Sequence, residues 1–277
     1  MAAVGNKASQ LTTEQVRDEI VQHLRHRIPW LMMRLGDGEA LAFASEGHDV
    51  MAEKENIPWR KHLGILPSDE EKREWRILTE VSARCADLVG LHPTDSTQGK
   101  QFGHSGKTLR GMIGPLFTRE CAANIHLDLM RSGAYADIIR AARGVMLVTG
   151  HTVQSSGTPL MKAFRKEFMA DKGPGLLKML QLPLQSCYFE LKTPWNWWTL
   201  GMLPQIKEMP RMPGWLVLFG GGIPGKAVLW ALKERGAVIV DIGSVFDRWA
   251  GFATRGKGKG VKKPNEADMI GKPQEEE

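Results

Sequence analysis

Helical and extended periodicities take turns along this chain. Val16, Ile20 and Leu24 recur at helical spacing behind Thr12 and Gln15, which form a capping box, so a first helix is predicted to about Arg27, stopped by Pro29. The apolar run Trp30-Leu31-Met32-Met33 follows and reads as a strand. After a polar stretch holding Pro58 and Pro67, read as loop and short helix, Ser68-x-x-Glu71 opens another helix. Its Trp75, Leu78, Val81, Cys85 and Leu88 are spaced to cover a core face. Leu88-Val89-Gly90-Leu91-His92-Pro93 is a second strand closed by proline. A helix is predicted from Ala134 to Arg143, and then Val145-Met146-Leu147-Val148 is bounded by glycines, as in a parallel strand covered on both faces. Thr158-Pro159 starts a helix, Ser186 to Leu191 forms a short strand, and Trp215 to Phe219 forms a buried one. A helix over Ala227 to Arg235 leads into the strand Val238-Ile239-Val240. This order predicts an α/β fold: a single Rossmann-like domain over residues 1–253, with a mainly parallel sheet and helices on both faces. A polar tail, residues 254–277, follows.

Composition adds limits. At 277 residues and 42% hydrophobic the chain can bury one sizeable core. No apolar run is long enough to cross a bilayer, and Met1 to Gln10 lacks the apolar centre of a signal peptide, so a cytoplasmic protein is expected. Cys85, Cys121 and Cys187 are odd in number, widely separated and without C-x-x-C spacing; they read as reduced thiols, neither a disulfide set nor a zinc site. The net charge of +6 and pI near 9.2 suit an anionic ligand. Arg255, Lys257, Lys259, Lys262 and Lys263 crowd one glycine-rich stretch before an acidic end, a pattern of solubilising, disordered tails more than of nucleic-acid clamps.

Two glycine-punctuated turns carry the candidate chemistry. In Arg34-Leu35-Gly36-Asp37-Gly38-Glu39, an apolar strand ends in a turn that can aim two carboxylates into one site, an oxygen donor set suited to Mg2+ or Mn2+ with phosphates completing the shell. A plain solvated loop has the same composition. The second turn, Gly220-Gly221-Gly222-Ile223-Pro224-Gly225-Lys226, formally satisfies G-x-G-x-x-G after a strand, and Asp241 stands at the end of the next strand. The rival reading is therefore an NAD(P)-dependent oxidoreductase using the turn at 220–225. Its position near the end of the chain argues against this, because a dinucleotide fold usually begins with such a unit, whereas free amides at a helix start suit any phosphate. Ser244, Asp247, Arg248 and Arg255 follow the last strand and can face the same cleft. His151, at a strand's carboxyl end, either meets a phosphate, acts as acid or base, or is a structural histidine in a turn. Gly103 to Thr108 imitates a phosphate loop but has Gln101 where glycine is required and no strand before it; Lys107 and Arg110 are left as possible phosphate contacts. Pro194-Trp195-Asn196-Trp197-Trp198 packs a core or interface in preference to forming a sugar or base platform.

Together the two turns resemble the GT-D type glycosyltransferases. Arg34 to Glu39 is similar to the R-x-G-D-G-E signature of that family, whose Asp-x-Glu pair serves sugar nucleotide and metal. The glycine turn, its helix and Val240-Asp241-Ile242-Gly243-Ser244 resemble the family's later glycine turn and D-I-G block. The resemblance implies transfer of a hexose from a nucleoside diphosphate sugar, with UDP-sugar expected, to an acceptor hydroxyl on a glycan or on a modified nucleic-acid base such as in DNA. Asp37 and Glu39 are assigned to metal (Mn2+ or Mg2+) and donor. Arg34 braces those carboxylates or meets the diphosphate. The Gly220 to Gly225 amides and Lys226 are assigned to phosphate, and Asp241 and Asp247 to sugar contact or to the base.

Overall fold

The computed structural model describes residues 10–43, 66–92, 100–116, 119–150, 158–168, 176–182 and 194–251. Seven strands in these segments form one sheet: β1 Trp30–Arg34, β2 Leu88–Leu91, β3 Glu120–Ala122, β4 Gly144–Thr149, β5 Leu177–Gln181, β6 Trp215–Gly220 and β7 Val238–Asp241. Their order is β3-β2-β1-β7-β6-β4-β5. Every pairing is parallel, so the sheet is wholly and not just mainly parallel among the described residues. The predicted strand at Ser186 to Leu191 and the tail from 254 lie outside the described residues.

Side chains alternate across this sheet and find a helical layer on each side. Leu31, Met33, Met146, Val148, Val217, Phe219 and Ile239 enter one core. Trp30, Met32, Val145, Leu147, Leu216, Leu218, Val238 and Val240 enter the other. That two-sided burial is why the strands read as unbroken apolar runs. The first face is covered by α2 Asp37–Phe43, α3 Asp69–Cys85, α4 Lys100–Ile113 and a helical stretch that passes through a π turn at Trp197–Met202 into α8 Leu203–Glu208. The second is covered by α1 Thr13–His26, α5 Ile125–Arg131, α6 Ala134–Ala141 and α7 Pro159–Phe168. After β6 the chain makes α9 Gly222–Gly225, a 3-10 turn Lys226–Val228 and α10 Leu229–Glu234 on the first face; after β7, α11 Val245–Trp249 lies on the second.

The capping boxes at Thr12/Gln15 and Ser68/Glu71 are both formed, with hydrogen bonds in each direction. Two expectations need correction. Gly103 to Thr108 is not a turn but part of α4, whose Arg110 is paired with Glu120 at 2.6 Å and donates to the His92 carbonyl at 2.8 Å. The glycine at 106 answers a packing need, since a Cβ there would lie 2.2 Å from the His92 carbonyl oxygen. Asp37 to Glu39, expected as a glycine-punctuated turn, begins α2 directly. The tryptophan cluster packs as core: Trp195 and Trp198 are fully buried, and Trp195 Nε1 donates to Glu74 at 2.6 Å.

The sheet topology sets where a ligand can enter. The connection after β4 leads to a helix on the second face and the connection after β6 to helices on the first. Adjacent parallel strands whose connections part in this way leave a crevice at their carboxyl ends. Thr149 and Gly220, the last residues of those two strands, are register partners.

Candidate active site

The two glycine turns, 181 or more residues apart in the chain (Glu39 to Gly220), meet at the carboxyl ends of β1, β7 and β6. A Cβ on Gly38 would lie 3.0 Å from Ile223 Cδ1, so the acidic turn rests directly on the glycine turn. Trp75 Nε1 of α3 secures the same segment by donating to the Ile223 carbonyl at 2.9 Å. Between the turns lies a charged cluster. Lys226 Nζ donates to Asp241 Oδ2 and lies 3.7 Å from Glu39 Oε1. Asp241 Oδ2 also accepts from the Arg34 backbone N–H at 3.0 Å, while its Oδ1 is buried with no hydrogen-bond partner among the described residues. Lys226 is 3% exposed and Asp241 0% exposed, so this pair lies out of water, with the half-buried Glu39 carboxylate beside the same ammonium.

Local sequence explains the placement. Leu35 N–H donates to the Gly90 carbonyl at 2.9 Å, extending β1 toward β2, and the chain then turns into α2 at Asp37. Glu39, third in that helix, reaches back so that Oε2 accepts from Gly36 N–H at 2.9 Å. This is the carboxylate half of a capping box, and it leaves Oε1 turned to Lys226. Arg34 leaves the acidic turn sideways: Nε donates to the Ala123 carbonyl at 2.7 Å. Its guanidinium also crosses Gly243, where φ is +48° and a Cβ would come within 2.7 Å of Nη1.

The glycines after β6 answer to packing. A Cβ at Gly221 or Gly225 would lie 2.5 or 2.6 Å from the Phe219 ring, and one at Gly220 would lie 2.6 Å from Phe246. Gly222 has φ +61°, a conformation that suits glycine. Aromatic rings pressed against the turn account for these glycines without a pyrophosphate, so the formal dinucleotide fingerprint loses much of its weight.

Three of the other expected site residues lie at or on α11. Ser244 precedes α11 and is half-buried, and its side chain makes no capping bond. Asp247 lies half-buried on α11. Arg248 is exposed and lines, with Met130, Tyr135, Phe168 and Trp249, a cavity of about 300 Å³ on the second face, away from the helix that carries Lys226. His151 lies outside the described residues. A residue the sequence reading passed over stands closer: His92, at the end of β2, has Nε2 3.9 Å from where a Gly36 Cβ would be, and Glu39 Oε2 lies 3.5 Å from the same point. Leu91-His92-Pro93 carries the same signal in the sequence as His151, a histidine that follows an apolar run.

Among the described residues no group of three or more His, Cys, Asp or Glu is arranged to hold a metal ion. The donor chemistry nonetheless fits a hard divalent cation. Glu39 Oε1 lies beyond hydrogen-bond length from Lys226, Asp241 Oδ1 has no partner among the described residues, and such ions take one or two carboxylates with substrate phosphates supplying the rest.

Residues 11–163 match the model of a family described as GT-D fold-like domain. The match takes in the acidic turn and strands β1 to β4 and ends before the glycine turn. No curated protein and no solved structure matches the chain.

Proposed function

The chain belongs to the GT-D-like family, whose model covers more than half of its 277 residues, and from that premise we propose that it is a glycosyltransferase acting on a nucleoside diphosphate sugar. The observation that carries the reading is the meeting of the acidic turn and the glycine turn at the carboxyl edge of a parallel sheet, through Gly38 on Ile223 and Glu39 beside Lys226. Transfer of a hexose leaves negative charge on the departing diphosphate, and catalysis consists in neutralising that charge and orienting the acceptor hydroxyl. Asp37 and Glu39 are assigned to donor and to Mn2+ or Mg2+; the cation, when bound, supplies charge neutralisation at the diphosphate. The backbone amides of the turn at 220–225 are the proposed phosphate contact. Asp241, one of whose buried oxygens has no hydrogen-bond partner among the described residues, is better placed beside Glu39 than Asp247 is and is favoured for sugar contact or for accepting the acceptor's proton.

UDP-sugar is the proposed donor and a glycan hydroxyl the proposed acceptor, with a modified base in DNA as the other acceptor to be screened. The experiment is a donor screen that reads nucleotide release with and without Mn2+, repeated on Asp37→Ala. Release that requires the cation and falls at least about 100-fold in Asp37→Ala is expected. Turnover indifferent to both chelation and the substitution defeats the assignment. Thermal stabilisation by NADH, with none from UDP-sugar plus Mn2+, would instead favour the oxidoreductase.

A further inference from the structure

We infer that Lys226 is a positioning residue that clamps the end of β7 to the start of α2, and not a phosphate ligand. Lys226 is 3% exposed, its ammonium lies between Asp241 and Glu39, and Asp241 Oδ2 in turn holds the Arg34 backbone N–H. One side chain therefore joins the turn after β6, the end of β7 and the turn after β1, at and beyond the last register pairs of those strands.

The chemistry favours this over a mobile phosphate-binding lysine. A buried ammonium is tolerated when carboxylates pair it, and taking it to a diphosphate would leave Asp241 wholly buried without a counter-charge. A lysine suits the socket because a compact point charge can meet two carboxylates from one position, whereas a guanidinium needs a planar fork and more room. With Asp241 and Glu39 bridged by a fixed cation, Glu39 keeps Oε2 on Gly36 N–H and Oε1 toward Lys226, so the carboxylates are ordered before any donor arrives.

The kinetic part of this inference rests on the transfer reaction proposed above; the structural part does not. Melting temperatures of Lys226→Met, Asp241→Asn and the double variant test the clamp. Lys226→Met alone should lower Tm by about 10 °C, because it strands a buried carboxylate. In the Asp241→Asn background the same change should cost little or raise Tm, a clear departure from additivity. Additive shifts overturn the clamp. If Lys226→Met alone does not fold, the comparison of Asp241→Asn with the double variant decides by the same criterion. In steady-state kinetics Lys226→Met should lower kcat about 10- to 100-fold with little change in donor KM, and Lys226→Arg should not restore it. A donor KM raised about tenfold at unchanged kcat, and restored by Lys226→Arg, would make Lys226 a phosphate ligand and sink the inference. Should the unaltered protein turn over no sugar nucleotide, the proposed function fails while the melting cycle still decides the clamp.

Discussion

At the scale of single residues, burial and pairing set how the ionisable groups behave. Cys121 lies in β3 within the second core, and burial pushes its thiol up to about 12. Since the thiolate is the reactive form, Cys121 should resist alkylation at pH 8 in the folded protein and react on unfolding, as followed by mass spectrometry of the modified peptide. Cys85 is less enclosed, and burial raises it too, so it should react faster than Cys121 and slower than a free thiol. Glu19 shows the opposite balance. Burial works to raise its carboxyl, but Arg119, bonded to both oxygens at 2.6 Å, and Trp30 Nε1 at 3.0 Å outweigh burial and hold it below the ordinary carboxylate range. A carboxylate lowered in the folded state adds stability above its unfolded pKa, and this is lost as pH falls through the folded value. Tm should therefore drop between neutral pH and about pH 3 by more in the unaltered protein than in Glu19→Gln, where this part of the pH dependence is missing.

At the scale of elements, glycines sort into those that packing demands and those it does not. Gly225 has Phe219 and Trp198 within 2.6 and 3.1 Å of where a Cβ would stand, and both rings are fully buried. Gly225→Ala should destabilise by about 1–3 kcal/mol, the usual cost of overfilling a packed core. Gly111, on the exposed side of α4, has nothing within 4 Å of that point. Gly111→Ala should stabilise by about 0.5–1 kcal/mol, because helix formation then loses less backbone entropy. Opposite Tm shifts in the two variants would check the distinction; a neutral Gly225→Ala would mean that the rings can yield. The short α2 was not legible because Asp-Gly-Glu-Ala pairs two glycine-flanked acids with few apolar positions, which carries no helical period. Its start is decided by Glu39 reaching back to Gly36, a local bond visible only in three dimensions. The helix α4 was hidden for a similar reason: its three glycines mimic a loop, while one of them, Gly106, serves the approach of the helix to β2.

At the scale of the whole molecule, the parallel sheet sends its strand ends to one edge, and that edge gathers Arg34, Glu39, Lys226 and Asp241 from opposite ends of the chain. No described helix is long and apolar enough to cross a membrane. If the two turns act as one site, loss at either should be felt at both. Gly38→Val, which would press a branched side chain onto Ile223, should reduce donor turnover about as severely as substitutions in the glycine turn, with at most a modest effect on Tm; independent effects on donor release would separate the turns functionally.

The sequence by itself determined the layered α/β class, the two capping boxes, the strands β1, β2, β4, β6 and β7 and the two glycine-punctuated segments proposed to carry the chemistry, because each of these depends on neighbours a few residues apart; β3 and β5, short and carrying polar residues, escaped it. Tertiary structure alone decided the strand order, the burial of Lys226 between carboxylates from two other segments, the use of glycines to admit Phe219, Trp198 and Phe246, and the position of His92 beside Gly36. Those depend on which strand ends become neighbours in the sheet, and a contact between residues nearly two hundred positions apart leaves no periodicity in the chain that forms it.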